Sequence, residues 1–426
     1  MKRLVALLLA AIMLLTLSAT AFADNEKVQI EVWTPLSGSK AATFDTLVEN
    51  FNNSQSDVEI VVVHQGGYSV LSQKIAAAAT AGNLPAMIIA DYTNVGLYVQ
   101  RGLLVPVESI LGEGAASEFN AGMMVDLTFD GVAYAVPYNR TTQGFVVNQD
   151  LLAQAGLTRV PSTWEEYYED AKAFKAAMGD GYYYGFAYFD QFNFDAIAAS
   201  FGASFATSDG TATANSDEMK EMLSFFRKMY EEDLLVMVPT TSGSFAEQFS
   251  PFLEGTVATV FQSSSFISSA ETMLDCNWSY EMIPAGTAGR VCTIGGTNLA
   301  VTTAATNEQT AGIKAFLEFI TNEDSAATVF MSTANLPARL SVFERDDVKA
   351  FISEKSYFAT NLIATLDNAI PAPTATKNIG DIYSLVNDLV VRAVYDGEDL
   401  DALLDEYNQM FQDEFDEKIA NEEFIY

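Results

Sequence analysis

Residues able to do acid–base, nucleophilic or metal chemistry are unevenly supplied in this chain. Its 426 residues include one histidine, His64, two cysteines, Cys276 and Cys292, and 56 Asp plus Glu against 22 Lys plus Arg. An HExxH zinc site needs two histidines on one helix face and is excluded, and any Ser/His or Cys/His nucleophile would have to run through His64. Two cysteines and one remote histidine are also too few for a structural zinc. The acidic run DGEDLDALLDE (396–406) misses the D-x-[DN]-x-[DN]-G spacing of a calcium loop and reads as a solvated helix face. No metal or cofactor is expected. Ferric-iron binding is disfavoured too, because clustered tyrosinates and histidine are missing from the pattern. The catalytic device that the composition does supply is a carboxylate pair, as a secreted glycosidase would use. Asp91, closing an apolar strand, is the one strong candidate for it.

The elements that must position such residues follow from hydrophobic period. VQIEVW (28–33) alternates as a strand, and Phe44, Leu47, Val48 and Phe51 then fall on one helical face. VEIVVV (58–63) is a second strand, Tyr68–Ala81 a helix stopped by Gly82-Asn83, and AMIIAD (86–91) a third, wholly apolar strand. Strand, helix, strand, helix, strand predicts a doubly wound α/β lobe. VAYAVPYN and GFVVN, between 132 and 148, read as extended segments leaving that lobe. A helix follows in PSTWEEYYEDAKAFKAAM, with Ser162 and Glu165 as its capping box, and another follows Asn215 and Glu218. FLEGTVATVF (252–261) contains a strand, IGGTNLAVT another entered through two glycines, Thr310–Ile320 is helical, and so is the chain beyond Asn378. His64, at a strand end, is expected at the surface, and Trp278 within its strand.

Charge and length bound the rest. A formal charge of −34 with no basic run argues against nucleic acid and against anionic membrane surfaces. With 49% hydrophobic residues the chain can bury a large core, so intrinsic disorder is excluded. Residues 1–23 read as a secretory signal peptide: Lys2 and Arg3, an apolar stretch Leu4–Leu17, and a small-residue exit Ala21-Phe22-Ala23. The apolar stretch is shorter than a bilayer span, which takes roughly 20 residues. A mature chain from Asp24 carries 56 acidic and 20 basic residues, a formal charge of −36. No cysteine lies near the cleavage point, so a lipid anchor through an N-terminal Cys is not expected. In an oxidising compartment Cys276 and Cys292, 16 positions apart, either bridge or stay two buried thiols.

Several segments in order, EVWTPLSG, GGYSVLSQKIAAAATAGNLPAMIIAD, AYAVPYNRTTQGFVVNQDLLAQAGL, PSTWEE, FLEGTVATVFQSSS, IGGTNLAVT and ANLPAR, resemble the bacterial ABC-importer solute-binding proteins of extracellular family 1. GGYSVLSQK, SSS and IGGTN resemble the glycerol-3-phosphate and sugar-binding branch. The resemblance implies a two-lobed, type II-like periplasmic-binding-protein fold, with residues 24–135 plus 290–336 as one lobe and 136–289 plus 337–426 as the other. It implies a ligand cleft between lobes joined by hinge crossings, a small-molecule solute, a membrane permease as partner, a monomer and no catalysis.

Carried over residue by residue, the resemblance implies ligand contacts from Trp33, Gly38, Tyr68, Asp91 and Tyr92 in the first lobe. Asn139, Arg140, Thr141, Phe192 and Ser264 follow, then Gly295, Gly296 and Asn298, and finally Asn335 and Lys377. Strand C-terminal ends are where an open α/β sheet places its ligand. Aromatic faces suit the C–H face of a sugar, and Asp, Asn and Arg suit its hydroxyls. Trp33 serves equally well as a packing aromatic. Tyr68, after two glycines, is read as ligand-facing. The alternation of Phe189, Phe192 and Phe194 places part of that set in the core. Arg140 with Lys377 could clamp a phosphate, or Arg140 could fork onto hydroxyls. Asn335 and Tyr92 depart from the tyrosine and glutamate of the glycerol-phosphate branch, which favours a neutral carbohydrate or polyol over a phosphorylated one.

Overall fold

The computed structural model describes residues 27–187, 191–237, 245–354, 364, 366, 369–372 and 382–423. The first segment forms as its hydrophobic period dictates: β1 (Val28–Thr34), α1 (Gly38–Ser54), β2 (Val58–His64), α2 (Tyr68–Ala81), β3 (Met87–Asp91) and α3 (Tyr92–Gln100). α1 buries Phe44, Leu47, Val48 and Phe51 along one stripe. α2 ends at Gly82, whose φ of 71° lets its N–H close onto the last turn at a position where a side chain would be strained. β1 pairs in parallel with both β2 and β3.

The two extended segments expected near 132–148 are one strand over most of their length. β4 (Val136–Asn148) runs 13 residues and is buried throughout. The rest follows as α4 (Trp164–Met178), β5 (Tyr183–Ala187), α5 (Gln191–Phe201), α6 (Asp217–Glu231), β6 (Leu235–Met237) and β7 (Val257–Ser263). Then come β8 (Trp278–Glu281), β9 (Cys292–Val301), α7 (Asn307–Ile320), α8 (Glu323–Thr333) and α9 (Leu400–Ala420). These strands belong to one ten-stranded sheet with the order β2-β1-β3-β9-β4-β7-β5-β6; β8 pairs β4 beside it, and the short strand Ala369–Ile370 pairs β9.

β4 joins the halves of that sheet. Its first part, from Val136 to Thr142, lies antiparallel to β9, which in turn lies against β3. Its second part, from Gln143 on, pairs β7, and Phe145–Asn148 pairs β8. The cores divide along the same line. Ile30, Val32, Phe44, Ile88 and Phe316 belong to one apolar cluster, Phe145, Trp164, Phe226, Leu404 and Phe411 to another, and Val146, Tyr280, Ile294 and Phe330 to a third. Each fully buried side chain of this size contributes about 1.5–3 kcal/mol.

Two helix starts fall one residue later than expected. Thr163, not Ser162, caps α4 by accepting from the Glu166 N–H, while Glu166 reaches back to the Ser162 N–H at 2.8 Å. Ser216 caps α6 by accepting from the Met219 N–H, and Asn215 bonds Asp405 instead. In both places adjacent polar residues compete for the cap, and the apolar stripe that must face the core decides between them.

The possible bridge between Cys276 and Cys292 is not formed: both are free thiols, Cys292 buried and Cys276 half-buried. Cys292 precedes Ile294, which faces Thr142, whereas Cys276 precedes Trp278, which faces Asn148. Those two points on β4 are separated by roughly 20 Å at the strand rise, and a disulfide needs Cα atoms within about 7 Å.

Candidate functional site

The middle of β4 is chemically unlike its ends. Apolar Val136–Tyr138 and Phe145–Val147 flank Asn139, Arg140, Thr141, Thr142 and Gln143, five consecutive polar residues that are all buried. Burying such groups costs about 1–3 kcal/mol each unless partners are found, so their bonding defines the site. Arg140 Nη2 donates to Asp126 Oδ1 at 2.5 Å and Nη1 donates to Asn298 Oδ1 at 3.0 Å. The Arg140 and Asp126 side chains are both 0% exposed. Ser264 Oγ accepts from the Thr142 N–H at 3.1 Å, and Gln143 Oε1 accepts from Thr293 Oγ1 at 2.7 Å. Gln143 Nε2 donates to the Phe192 carbonyl.

Satisfaction is incomplete. Asn139 Nδ2, Asn298 Nδ2, both amide atoms of Asn335, Thr142 Oγ1, Thr297 Oγ1 and Asp126 Oδ2 are buried without a hydrogen-bond partner among the described residues. The backbone brings these groups together. Asn139 faces Thr297 across the β4–β9 ladder, and Arg140 bridges to Leu336, next to Asn335. Ala334, left-handed at φ 57°, ends α8 and turns Asn335 toward the strand crossing.

Two glycines are needed here. A Cβ on Gly296, whose φ is 93°, would fall on the Asn139 carbonyl oxygen, and one on Gly295 would fall on the Phe192 ring. The ladder shifts register immediately afterwards, between Thr297 and Asn298. Gly295 thus lets α5 approach the crossing. There Phe192 meets Tyr92, from the start of α3, edge to face at 5.7 Å.

Asp91 faces Thr297 at the end of β3. Its Oδ1 accepts from the Thr93 N–H at 3.0 Å and from Thr93 Oγ1 at 2.5 Å, making it the N-cap of α3. Burial raises its carboxyl above the usual range, and Asp126 adds to this, while the Thr93 bonds and the Arg140 charge pull it back. Desolvation likewise raises Asp126 against the pull of Arg140.

A cavity of about 390 Å³ opens beside this seam. Ser37, Gly38, Ser39 and Lys40, at the start of α1, line one wall with Tyr68, and Gln262, Ser265 and Ser268 line the other. Tyr68 is 41% exposed. Burial lowers the Lys40 ammonium below its ordinary range, and Asp91 opposes that shift.

The sequence-derived set therefore separates. Gly38 and Tyr68 line the cavity; Asp91, Asn139, Arg140, Asn298 and Asn335 gather in the seam; Gly295 and Gly296 supply clearance; Ser264 holds the Thr142 N–H. Thr141 is buried in the strand opposite Gly295. Trp33 does not line the cavity, and its indole N–H donates to the Glu31 side chain on the exposed side of β1. Phe194 is core, as expected of part of that set, and stacks on Phe205 at 5.0 Å from a helix that begins at Gln191. Lys377 and Phe189 lie outside the described residues. His64 is exposed at the strand end and pairs with Asp45 at 3.0 Å. Lys40, Asp126 and Gln143 escaped the sequence reading. The lone carboxylate of the apolar MMVDLTF is the mark that would have flagged Asp126, since a buried charge requires a partner.

Two α/β halves, joined through a shared strand and enclosing a polar seam, have the architecture of a binding protein that takes its ligand between lobes. Residues 46–360 match the family model described as bacterial extracellular solute-binding protein, and the chain belongs to that family. It is 32% identical over 168 residues to the sn-glycerol-3-phosphate-binding periplasmic protein of Agrobacterium fabrum, spanning 38% of either chain. It is 27% identical over 335 residues to the Salmonella typhimurium protein of the same name, covering 74% of this chain and 75% of that one. Among solved structures, the cyclic alpha-maltosyl-1,6-maltose binding protein of Arthrobacter globiformis superposes with a TM-score of 0.79 at 20% identity, covering 91% of this chain and 99% of its own. The Mycobacterium tuberculosis protein UgpB, in complex with glycerophosphocholine, gives 0.79 at 19% identity, covering 92% and 99%. No helix among the described residues is long and apolar enough to cross a membrane.

Proposed function

We propose that the protein is the exported solute-binding component of an ABC importer. It captures a carbohydrate or polyol between two lobes, 24–135 plus 290–336 and 136–289 plus 337–426, and presents it to a membrane permease without chemical change. The observation that carries this reading is the seam: buried amides and hydroxyls, unpartnered among the described residues, are matched to a ligand rich in hydroxyl oxygens. The maltosyl-maltose binding protein of similar fold supports a sugar, whereas the curated relatives are named for glycerol-3-phosphate. Asp91, engaged as a helix cap, supports a binding role over that of a glycosidase carboxylate. The protein acts as a monomer, free of a lipid anchor, with the signal peptide 1–23 removed. A ligand touching both lobes favours the closed form by its differential affinity, which couples capture to permease docking.

A second reading, a phosphorylated polyol, is favoured by the names of the curated relatives and by one structural feature. The first N–H groups of the 17-residue helix α1 lie beside Lys40 on the cavity wall, an arrangement suited to an anion. Arg140 does not add to it, because Asp126 already neutralises its charge.

A thermal-shift screen of sugars, polyols, glycerol phosphates and glycerophosphodiesters tests both readings. A ligand at 100 times its Kd stabilises by about 2.7 kcal/mol, so the expected result is a clear rise in melting temperature with no turnover. Hydrolysis of a glycoside, lost in Asp91→Asn, would overturn the binding reading. A phosphorylated ligand that loses affinity in Lys40→Met would establish the second over the first.

A further inference from the structure

Three asparagines, Asn139, Asn298 and Asn335, each at most 1% exposed, approach the strand crossing from β4, β9 and the turn after α8. Their amide nitrogens have no partner among the described residues. An asparagine amide has two orientations that differ only in which end is nitrogen, and the surrounding hydrogen bonds choose between them. For Asn298 the choice is forced. Arg140 has only donors, and its Nη1 lies 3.0 Å from the Asn298 amide, so that end must be the oxygen and the other end must be nitrogen. The guanidinium is in turn immobilised by Asp126, reached from a turn 14 residues earlier in the chain. Asp126 also cancels its charge.

Resting on the solute-binding reading above, we propose that Arg140, held by Asp126, is a positioning residue rather than a ligand contact. It fixes the Asn298 amide with its N–H groups presented to the solute, and with Asn139 and Asn335 builds a donor-bearing floor for the uncharged oxygens of a polyol or sugar. Charge agrees with this. Asp126 already balances Arg140 at the floor, so that guanidinium offers a phosphate no free charge. Among the described residues an anionic group is left the neighbouring cavity wall at Lys40.

The test has two arms on the full exported chain. The first needs no ligand. Side-chain amide NMR of the 15N-labelled protein, with the Asn298 signal identified by its loss in Asn298→Asp, is repeated on Arg140→Lys, and on Asp126→Asn should Arg140→Lys fail to fold. The proposal expects the Asn298 amide pair to move or split into two flip states in a variant that still unfolds cooperatively. An unchanged Asn298 signal overturns it. The second arm titrates maltose and sn-glycerol 3-phosphate. For whichever stabilises the wild type, Asn298→Asp, which keeps the oxygen facing Arg140 but replaces the donor, should weaken binding about tenfold or more. Full affinity in that variant overturns the donor floor. If neither compound binds the wild type, the ligand reading fails, while the first arm still decides whether Arg140 sets the amide.

Discussion

Arg140 and Arg392 show the same chemistry in opposite settings. Arg140 and Asp126 are sealed in the sheet crossing, both side chains at 0% exposure. Arg392 lies near the surface and forks onto Glu398 at 2.8 Å and Glu406 at 2.9 Å, carboxylates that are 42% and 50% exposed. By bond count the outer pair is richer. Water reverses the ranking: exposed pairs contribute about 0–1 kcal/mol because solvent competes for each ion. Removing one member of a buried pair strands the other charge in low dielectric. The outer pair tidies a surface, whereas the inner one carries the geometry of the site.

Asp126→Ala should therefore be the most damaging change, costing about 3–5 kcal/mol in urea unfolding. A loss under about 1 kcal/mol would erase the distinction between the two arginines. Gly296→Ala should cost about 3 kcal/mol by the same measurement, because a left-handed residue is given a side chain aimed at the Asn139 carbonyl. A neutral outcome would mean that the seam yields as easily as the surface.

Acid should sharpen the contrast with a smaller effect. Asp91 is raised above 3.8 in the folded protein, so the folded state holds its proton to higher pH than the unfolded chain does. Its contribution to stability should fall as pH rises from about 4 through the raised value. Wild type measured against Asp91→Asn should thus lose ground between pH 4 and pH 7. Glu398 and Glu406 are lowered by their bonds to Arg392, so their contribution is present above the ordinary glutamate range and disappears as pH falls below it. Equal slopes for the two regions would contradict the assignment. Smallest of all, Glu406→Gln should leave the urea midpoint close to that of the wild type, and closer still in 1 M salt.

The sequence made local order visible and long-range order obscure. β1 through β3 with their helices were readable because a burial pattern of period 2 or 3.6 is written in neighbouring residues. β4 looks like two pieces in the sequence because its polar centre interrupts the apolar pattern, and only a partner strand some 150 residues later explains that interruption. The same distance hides the role of Arg140: its residue type suggests a ligand clamp, but Asp126 and Asn298 engage its two Nη groups. The cysteines, close in sequence, are held apart by their register on β4. Lys40 went unnoticed because a lysine in a first helical turn looks like any solvated one until the opposite wall is known.

The sharing of β4 also bears on how the molecule comes to be folded. Residues 136–142 of that strand have no sheet partner until β9, some 150 residues on, has emerged and docked against β3. Loop closure over that span must precede the contacts that reward it, which makes assembly slow compared with a chain of local contacts. A protein built this way remains loose until residues 292–301 are available, and its two halves should then lock in a single cooperative step rather than mature one after the other.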